Sequence, residues 1–290
     1  MKEMDALKGI ILKFQEDEIT QSLFYERISR SVKGKNRQVL KDMAKDEMDH
    51  YERLKKYTGQ DISPNRFRLF AYFLLWKIFG LTFIIKLMEE GEEKAQEGYK
   101  KILSSIPEIE EIFQDEEKHE KELMEMIDER RLKYISSMIL GVSDAIVELT
   151  GAIAGLTFAF QNSELVGAAG MITGIAAALS MSVSEYLSQK SEKEEGKSPF
   201  SAALYTGFAY IVAVFFLVFP FFVFVNVFLS LGLSLINALF IIALFTFFVS
   251  VVKEEPFKGS FIEMALLSFS VAAISFAIGA LARRFLGIEI

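Results

Sequence analysis

The sequence predicts an all-α protein in two parts: a four-helix bundle over residues 1–133 and a five-span transmembrane helical domain over residues 134–290. Three observations predict it. Charge density collapses at Tyr134: 53 of the first 133 residues are Asp, Glu, Lys or Arg, against 18 of the remaining 157. In the charged half, apolar residues recur at helical spacing between breaks at Gly34, Thr58-Gly59 and Pro107. In the second half, five apolar runs reach the roughly 20 residues that a helix needs to cross a bilayer.

The first helix covers residues 3–31, with Leu7, Ile10, Ile11, Phe14, Ile19, Leu23, Phe24 and Ile28 on its apolar side. The others run over about 36–57, 81–103 and 108–132, and four helices joined by short turns suggest a bundle. The net charge of −7 has no basic stripe within it, which argues against a nucleic-acid partner. Cysteine is absent, so disulfides, thiolate zinc sites, iron–sulfur centres and a rubredoxin-type iron are excluded. The N-terminus begins with charged residues and lacks an apolar core, so no signal peptide is expected.

The bundle contains an internal repeat. Asp46-Glu47-Met48-Asp49-His50 and Asp115-Glu116-Glu117-Lys118-His119 both read D-E-x-x-H and use the only two histidines in the chain. Glu18 and Tyr25 on the first helix are seven apart, as are Glu92 and Tyr99 on the third. Residues i and i+3 share a helix face, so each E-x-x-H can present one carboxylate and one imidazole to the same ion. With a lone Glu from each other helix, two such halves make a carboxylate-rich di-metal centre. Oxygen and nitrogen ligands suit Fe(II) and Mn(II), with Zn(II) also accommodated. Tyr25 and Tyr99 are placed to hydrogen-bond the ligands, and Glu89, one turn before Glu92, is a further candidate ligand.

These residues resemble the ferritin-like superfamily, and rubrerythrin-type domains in particular, over about residues 5–132. The resemblance implies a di-iron four-helix bundle, often dimeric, with Glu18, Glu47, His50, Glu92, Glu116 and His119 as ligands. The cysteine-ligated iron that rubrerythrins commonly carry as electron donor has no counterpart here.

Between the second and third helices, residues 66–86 (RFRLFAYFLLWKIFGLTFIIK) are apolar enough to raise a membrane question. Lys77 sits near the middle, where a charge at the bilayer centre costs roughly 3 kcal/mol, and Gly80 interrupts the run. An interfacial helix fits better than a span, with Tyr72, Trp76 and the other aromatics at the membrane surface; a dimer contact is the rival reading.

The five spans fall at about 135–160, 165–188, 201–225, 227–251 and 261–282. Arg130, Arg131 and Lys133 precede the first, Lys190, Lys193 and Lys197 follow the second, and Lys253 and Lys258 follow the fourth. The intervening loops have no Lys or Arg. The positive-inside rule therefore puts the N-terminal domain in the cytoplasm, with Arg283-Arg284 after the fifth span running against it. Spans one and two carry Asp144, Glu148 and Glu185 at membrane depth, where ionisable groups mark pathways, and Gly and Ala allow close helix approach. Met181 adds a thioether suited to a partly soft cation such as Fe(II), and Glu263 reads as interfacial.

GVSDAIVELTGAIAGL in span one, ALSMSVSEYLSQKSE closing span two, and Ser198-Pro199 before span three resemble the vacuolar iron transporter family over about residues 134–284. That resemblance implies a five-span dimer moving Fe(II), often Mn(II), from the cytosol by proton exchange, with Asp144 and Met181 at transport-path positions. Family members of the plant type carry a long acidic insert after span two. Here only about ten residues join spans two and three, and Ala145 stands where Gly often follows the span-one Asp. The two modules together resemble the membrane-bound ferritins, which are associated with iron export. The leading expectation is therefore a metal exporter in the cell membrane: the bundle captures or senses metal and the spans move it. A membrane-anchored ferroxidase or peroxide-scavenging enzyme, and a purely regulatory bundle, are the alternatives.

Overall fold

The computed structural model describes residues 2–91, 107–126, 134–192 and 198–286. The described residues form helices and connecting loops, and the chain divides into two compact units, Met1–Ile127 and Asp128–Ile290.

In the first unit, α1 (Lys2–Ser29) and α2 (Lys35–Thr58) pack as a helical hairpin. Gly59 closes α2 in the left-handed region (φ 65°), its N–H bonding back to Lys55 O at 2.8 Å. The following loop is held against α1. Thr58 Oγ1 donates to Gln15 Oε1 at 2.7 Å, Gln15 Nε2 to Gln60 O at 2.9 Å, and the Asn65 N–H to Thr20 Oγ1 at 2.9 Å. Asn65 then caps α3 (Arg66–Phe79), accepting from the Arg68 N–H at 3.0 Å, and Arg68 pairs with Asp17.

The apolar run 66–86 divides at Gly80 (φ 87°), and its second part belongs to another helix, α4, described over residues 81–91. Four helices feed one core: Phe24, Tyr25 and Ile28 from α1, Leu40 and Met43 from α2, Ile84, Ile85 and Met88 from α4, and Leu123 from α5 (Pro107–Met126). Tyr72 and Trp76 of α3 pack against this core, with Tyr72 edge-on to Phe24 at 5.6 Å. The expectation that they face a membrane is therefore overturned by their own packing: on α3 they occupy the inward side.

Among its described residues, the second unit holds five helices long and apolar enough to span a membrane: α6 (Ile135–Phe160), α7 (Ser163–Glu192), α8 (Pro199–Val223), α9 (Val227–Lys253) and α10 (Phe257–Leu286). Even the shortest, at 25 residues, is about 37 Å long at 1.5 Å per residue, against a hydrocarbon core of about 30 Å. α6 touches all four of the others. Against α8 and α10 it does so through its own glycines. A Cβ on Gly155 would lie 2.9 Å from Ser275 O of α10, and one on Gly279 would fall on the Gly155 carbonyl. Between α7 and α8, a Cβ on Gly174 would lie 2.7 Å from a Val214 methyl. Without a hydrophobic force between helices in lipid, such close approach supplies the dispersion energy.

Pro220 lies inside α8 and has no N–H to give to the carbonyl four residues back. Asn237 of α9 supplies the missing donor, its Nδ2 bonding Phe216 O at 2.8 Å, while Ser234 Oγ bonds Leu217 O at 2.7 Å. Asn237→Leu should therefore lower stability by about 0.6–2 kcal/mol. In a Pro220→Ala background, where the helix regains its own donor, the same change should cost less. Thermal unfolding in detergent across the four variants measures the coupling, and an additive result would sink the argument.

Candidate metal sites

Helix spacing brings five ionisable side chains together inside the first unit. Glu18 comes from α1, Glu47 and His50 from α2, and Glu116 and His119 from α5, and all are buried. Ligand atoms of Glu18, Glu47, His50 and Glu116 lie within 4.8 Å of one another. Glu47 faces both imidazoles, its Oε2 3.5 Å from His50 Nδ1 and its Oε1 3.5 Å from His119 Nδ1. Glu116 does the same, at 3.2 Å from His50 Nδ1 and 3.8 Å from His119 Nδ1. Glu18 stands only on the His50 side, 3.5 Å from its Nδ1. The two rings are 5.9 Å apart.

The far edge of each imidazole meets an aspartate of the opposite motif. His50 Nε2 lies 3.4 Å from Asp115 Oδ2, and His119 Nε2 lies 3.1 Å from Asp46 Oδ2. A carboxylate there favours the N–H on Nε2 and turns the Nδ1 lone pair toward the glutamates. Lone pairs facing carboxylate oxygens repel unless a proton or a cation stands between them. The orphan atoms mark the same place: among the described residues, Glu18 Oε2, Glu47 Oε2, Glu116 Oε2, His50 Nδ1 and His119 Nδ1 are buried with no hydrogen-bond partner. Leaving such groups uncompensated costs several kcal/mol.

The titration directions express the same demand for positive charge. Burial pushes the His119 imidazolium down, but the facing Glu116 and Glu47 carboxylates outweigh it and hold its pKa up at about 11. His50 is raised further, by Glu116, Glu18 and Glu47 against the same burial. Burial also pushes Glu47 up, and the facing His119 and His50 imidazoles draw it down to about 2. Glu18 is raised well above the usual carboxylate range by burial and by the neighbouring Glu47.

Of the other predicted residues, Tyr25 is buried in the apolar core beside Phe24, and Glu89 is half-buried on α4. Glu92 and Tyr99 lie outside the described residues, as do Arg130, Arg131, Lys133, Lys193 and Lys197. Asp46 and Asp115 escaped the sequence reading of the site. Their signal was present, since each is the first letter of its D-E-x-x-H motif.

In the second unit, Asp144 is half-buried on α6 and Glu148 follows one turn later. Tyr210 of α8, itself fully buried, donates its hydroxyl to Glu148 Oε2 at 2.9 Å. Glu185 of α7 is buried and accepts from Ser137 Oγ of α6 at 2.6 Å, while the Ser137 carbonyl accepts from Thr206 Oγ1 of α8 at 2.9 Å. Met181, one turn before Glu185, is half-buried against the apolar core. The Glu185–Ser137 contact joins the end of α7 to the start of α6. Asp144, seven residues into α6 from Ser137, is then about 10 Å deeper along the helix. Ser137 and Tyr210 had no motif to reveal them, because their roles depend on which helices meet.

A five-helix membrane unit with carboxylates inside its spans makes this an integral membrane protein. Residues 135–197, which cover α6 and α7, match the model of the VIT family, and this match supports a metal-transporting membrane domain. No curated protein matches the chain.

Ser137→Ala removes the donor to a buried carboxylate and should destabilise the membrane unit by about 1–3 kcal/mol. Ser191→Ala, at an exposed position, should leave it unchanged. Thermal unfolding in detergent tests the contrast, and equal effects would contradict it.

Proposed function

We propose that the protein exports Fe(II), or Mn(II), from the cytoplasm in exchange for protons, and that its N-terminal unit is a cytoplasmic, ferritin-like di-metal domain that captures or senses the metal. The observation that carries the transport reading is the set of carboxylates inside the spans of a VIT-family domain. Orientation rests on the basic residues Lys190, Lys253 and Lys258 at one set of helix ends.

Each membrane carboxylate has its own task. Glu185, near the cytoplasmic end, receives the cation, with Ser137 holding the carboxylate in place. Asp144 lies deeper and binds either a proton or a divalent ion; that exclusivity couples the two flows. Tyr210 orients Glu148, which relays protons or cations beyond Asp144. The Met181 thioether favours Fe(II) over harder ions. Dimerisation follows from the family resemblance.

The buried cluster of the first unit fits a di-metal centre on its donor set and its five orphan atoms. Glu18, Glu47, His50, Glu116 and His119, with Glu92 as the counterpart of Glu18, would hold it. Bound iron would supply one-electron redox chemistry there. Asp46 and Asp115 orient the imidazoles, and the surrounding helices exclude water. Glu47 and Glu116, each facing both imidazoles, also favour a second reading, a membrane-anchored ferroxidase or peroxide-scavenging enzyme.

Purified full-length protein in proteoliposomes should move Fe(II) in a manner that depends on a pH gradient. Asp144→Asn should reduce that flux at least tenfold, about 1.4 kcal/mol, with unfolding unchanged. Normal flux in that variant would remove Asp144 from the path. If the protein is folded and binds metal but gives no flux, while consuming peroxide faster than free Fe(II), the enzyme reading replaces the transporter.

Asp46→Ala and Asp115→Ala should each weaken metal binding by the first unit about 10–100-fold. Asp42→Ala, paired with Lys45 at the surface, should not. Electron paramagnetic resonance titration with Mn(II) reads the loss, and unchanged affinity in the first two would refute the orienting role.

A further inference from the structure

α3 has a face that the described residues of the first unit leave uncovered. Phe67, Phe70, Leu74 and Ile78 are 82%, 66%, 47% and 55% exposed. Their spacing of three, four and four residues places them in a single stripe. Leu69, Tyr72, Phe73 and Trp76 occupy the opposite side and pack against the bundle core, so the stripe is not the edge of that core turned outward. At 100° per residue, the exposed Arg66 and Lys77 fall within about 40° of Phe70, along one margin of the stripe. Arg68 points elsewhere and is paired with Asp17. The helix has no Asp or Glu.

We propose that α3 lies on the membrane surface, with Phe67, Phe70, Leu74 and Ile78 dipped into the boundary between headgroups and acyl chains and with Arg66 and Lys77 toward anionic headgroups. The chemistry separates this occupant from a second copy of the chain. In a two-fold contact each copy presents the same face. Two α3 faces would bring four cations together and no α3 carboxylate to balance them. An anionic lipid surface accepts both the stripe and its charged margin, which is the pattern of an interfacial helix. The chain itself enters a bilayer through α6–α10, so that surface is always at hand. The inference stands on the membrane unit and on α3 alone, and is independent of whether the buried cluster holds metal.

The absence of cysteine makes the test clean. Phe70→Cys in the full-length protein carries a nitroxide label, and the exposed position spares the core. The protein is reconstituted in vesicles of phosphatidylcholine and phosphatidylglycerol. The label should be more accessible to oxygen than to a water-soluble nickel chelate, at a depth of about 5–10 Å. Leu74→Cys should behave alike. A label more accessible to the chelate would put the face in water and overturn the proposal. Low accessibility to both reagents, with dipolar broadening between labels, would overturn it in favour of a second copy. Adding Arg66→Glu and Lys77→Glu should shift the balance toward the chelate; an unchanged balance would refute the role given to anionic headgroups.

Discussion

Charge kept out of water is the constraint on which both units depend. In the first unit three carboxylates and two imidazoles share one buried space, and the helices cannot close around them unless positive charge is present. The D-E-x-x-H motifs answer this as a pair. Each glutamate serves both histidines, and each aspartate reaches across to the other motif. Either motif alone would bury a carboxylate and an imidazole with half their partners missing.

The membrane unit meets the same constraint by a different route. Its carboxylates are dispersed, and the two with described hydrogen bonds each accept from one neutral hydroxyl: Glu185 from Ser137 and Glu148 from Tyr210. These bonds exist because α6 runs close to α7 and α8. Gly141 sits against the Thr206 backbone, and Thr206 in turn bonds the Ser137 carbonyl that lies beside the Glu185 contact. Small residues and the membrane carboxylates therefore belong to one arrangement. Filling a glycine would displace the helices that hold the carboxylates.

The helices were legible in the sequence because their signals are local. Apolar runs and breakers place α6–α10 within a few residues of their observed ends, and Gly80 and Gly59 interrupt the first unit where the sequence suggests. The grouping of Glu18, Glu47, His50, Glu116 and His119 was readable from i, i+3 spacing and from repetition. What escaped depends on the packing of separate helices. Nothing within α8 marks Tyr210 as the partner of Glu148. Nothing within α3 says that Tyr72 and Trp76 turn inward while Phe67 and Phe70 turn out, because aromatic residues occur on both sides and only contact with Phe24 and its neighbours distinguishes them.

The contrast between the two sets of carboxylates bears on how one chain would both hold a cation and let it go. Movement through a membrane requires binding strong enough for entry and weak enough for exit. Five donors converging on one space, with both histidines oriented by aspartates, make a site suited to retention. Single carboxylates spaced along α6 and α7, two of them held by a hydroxyl that carries no charge, would make a series of shallower stations. Histidine is confined to the first unit, so the membrane unit has no nitrogen ligand of that kind to deepen any one of them. On the transport reading, capture and passage are separated because the ligand chemistry that favours one opposes the other.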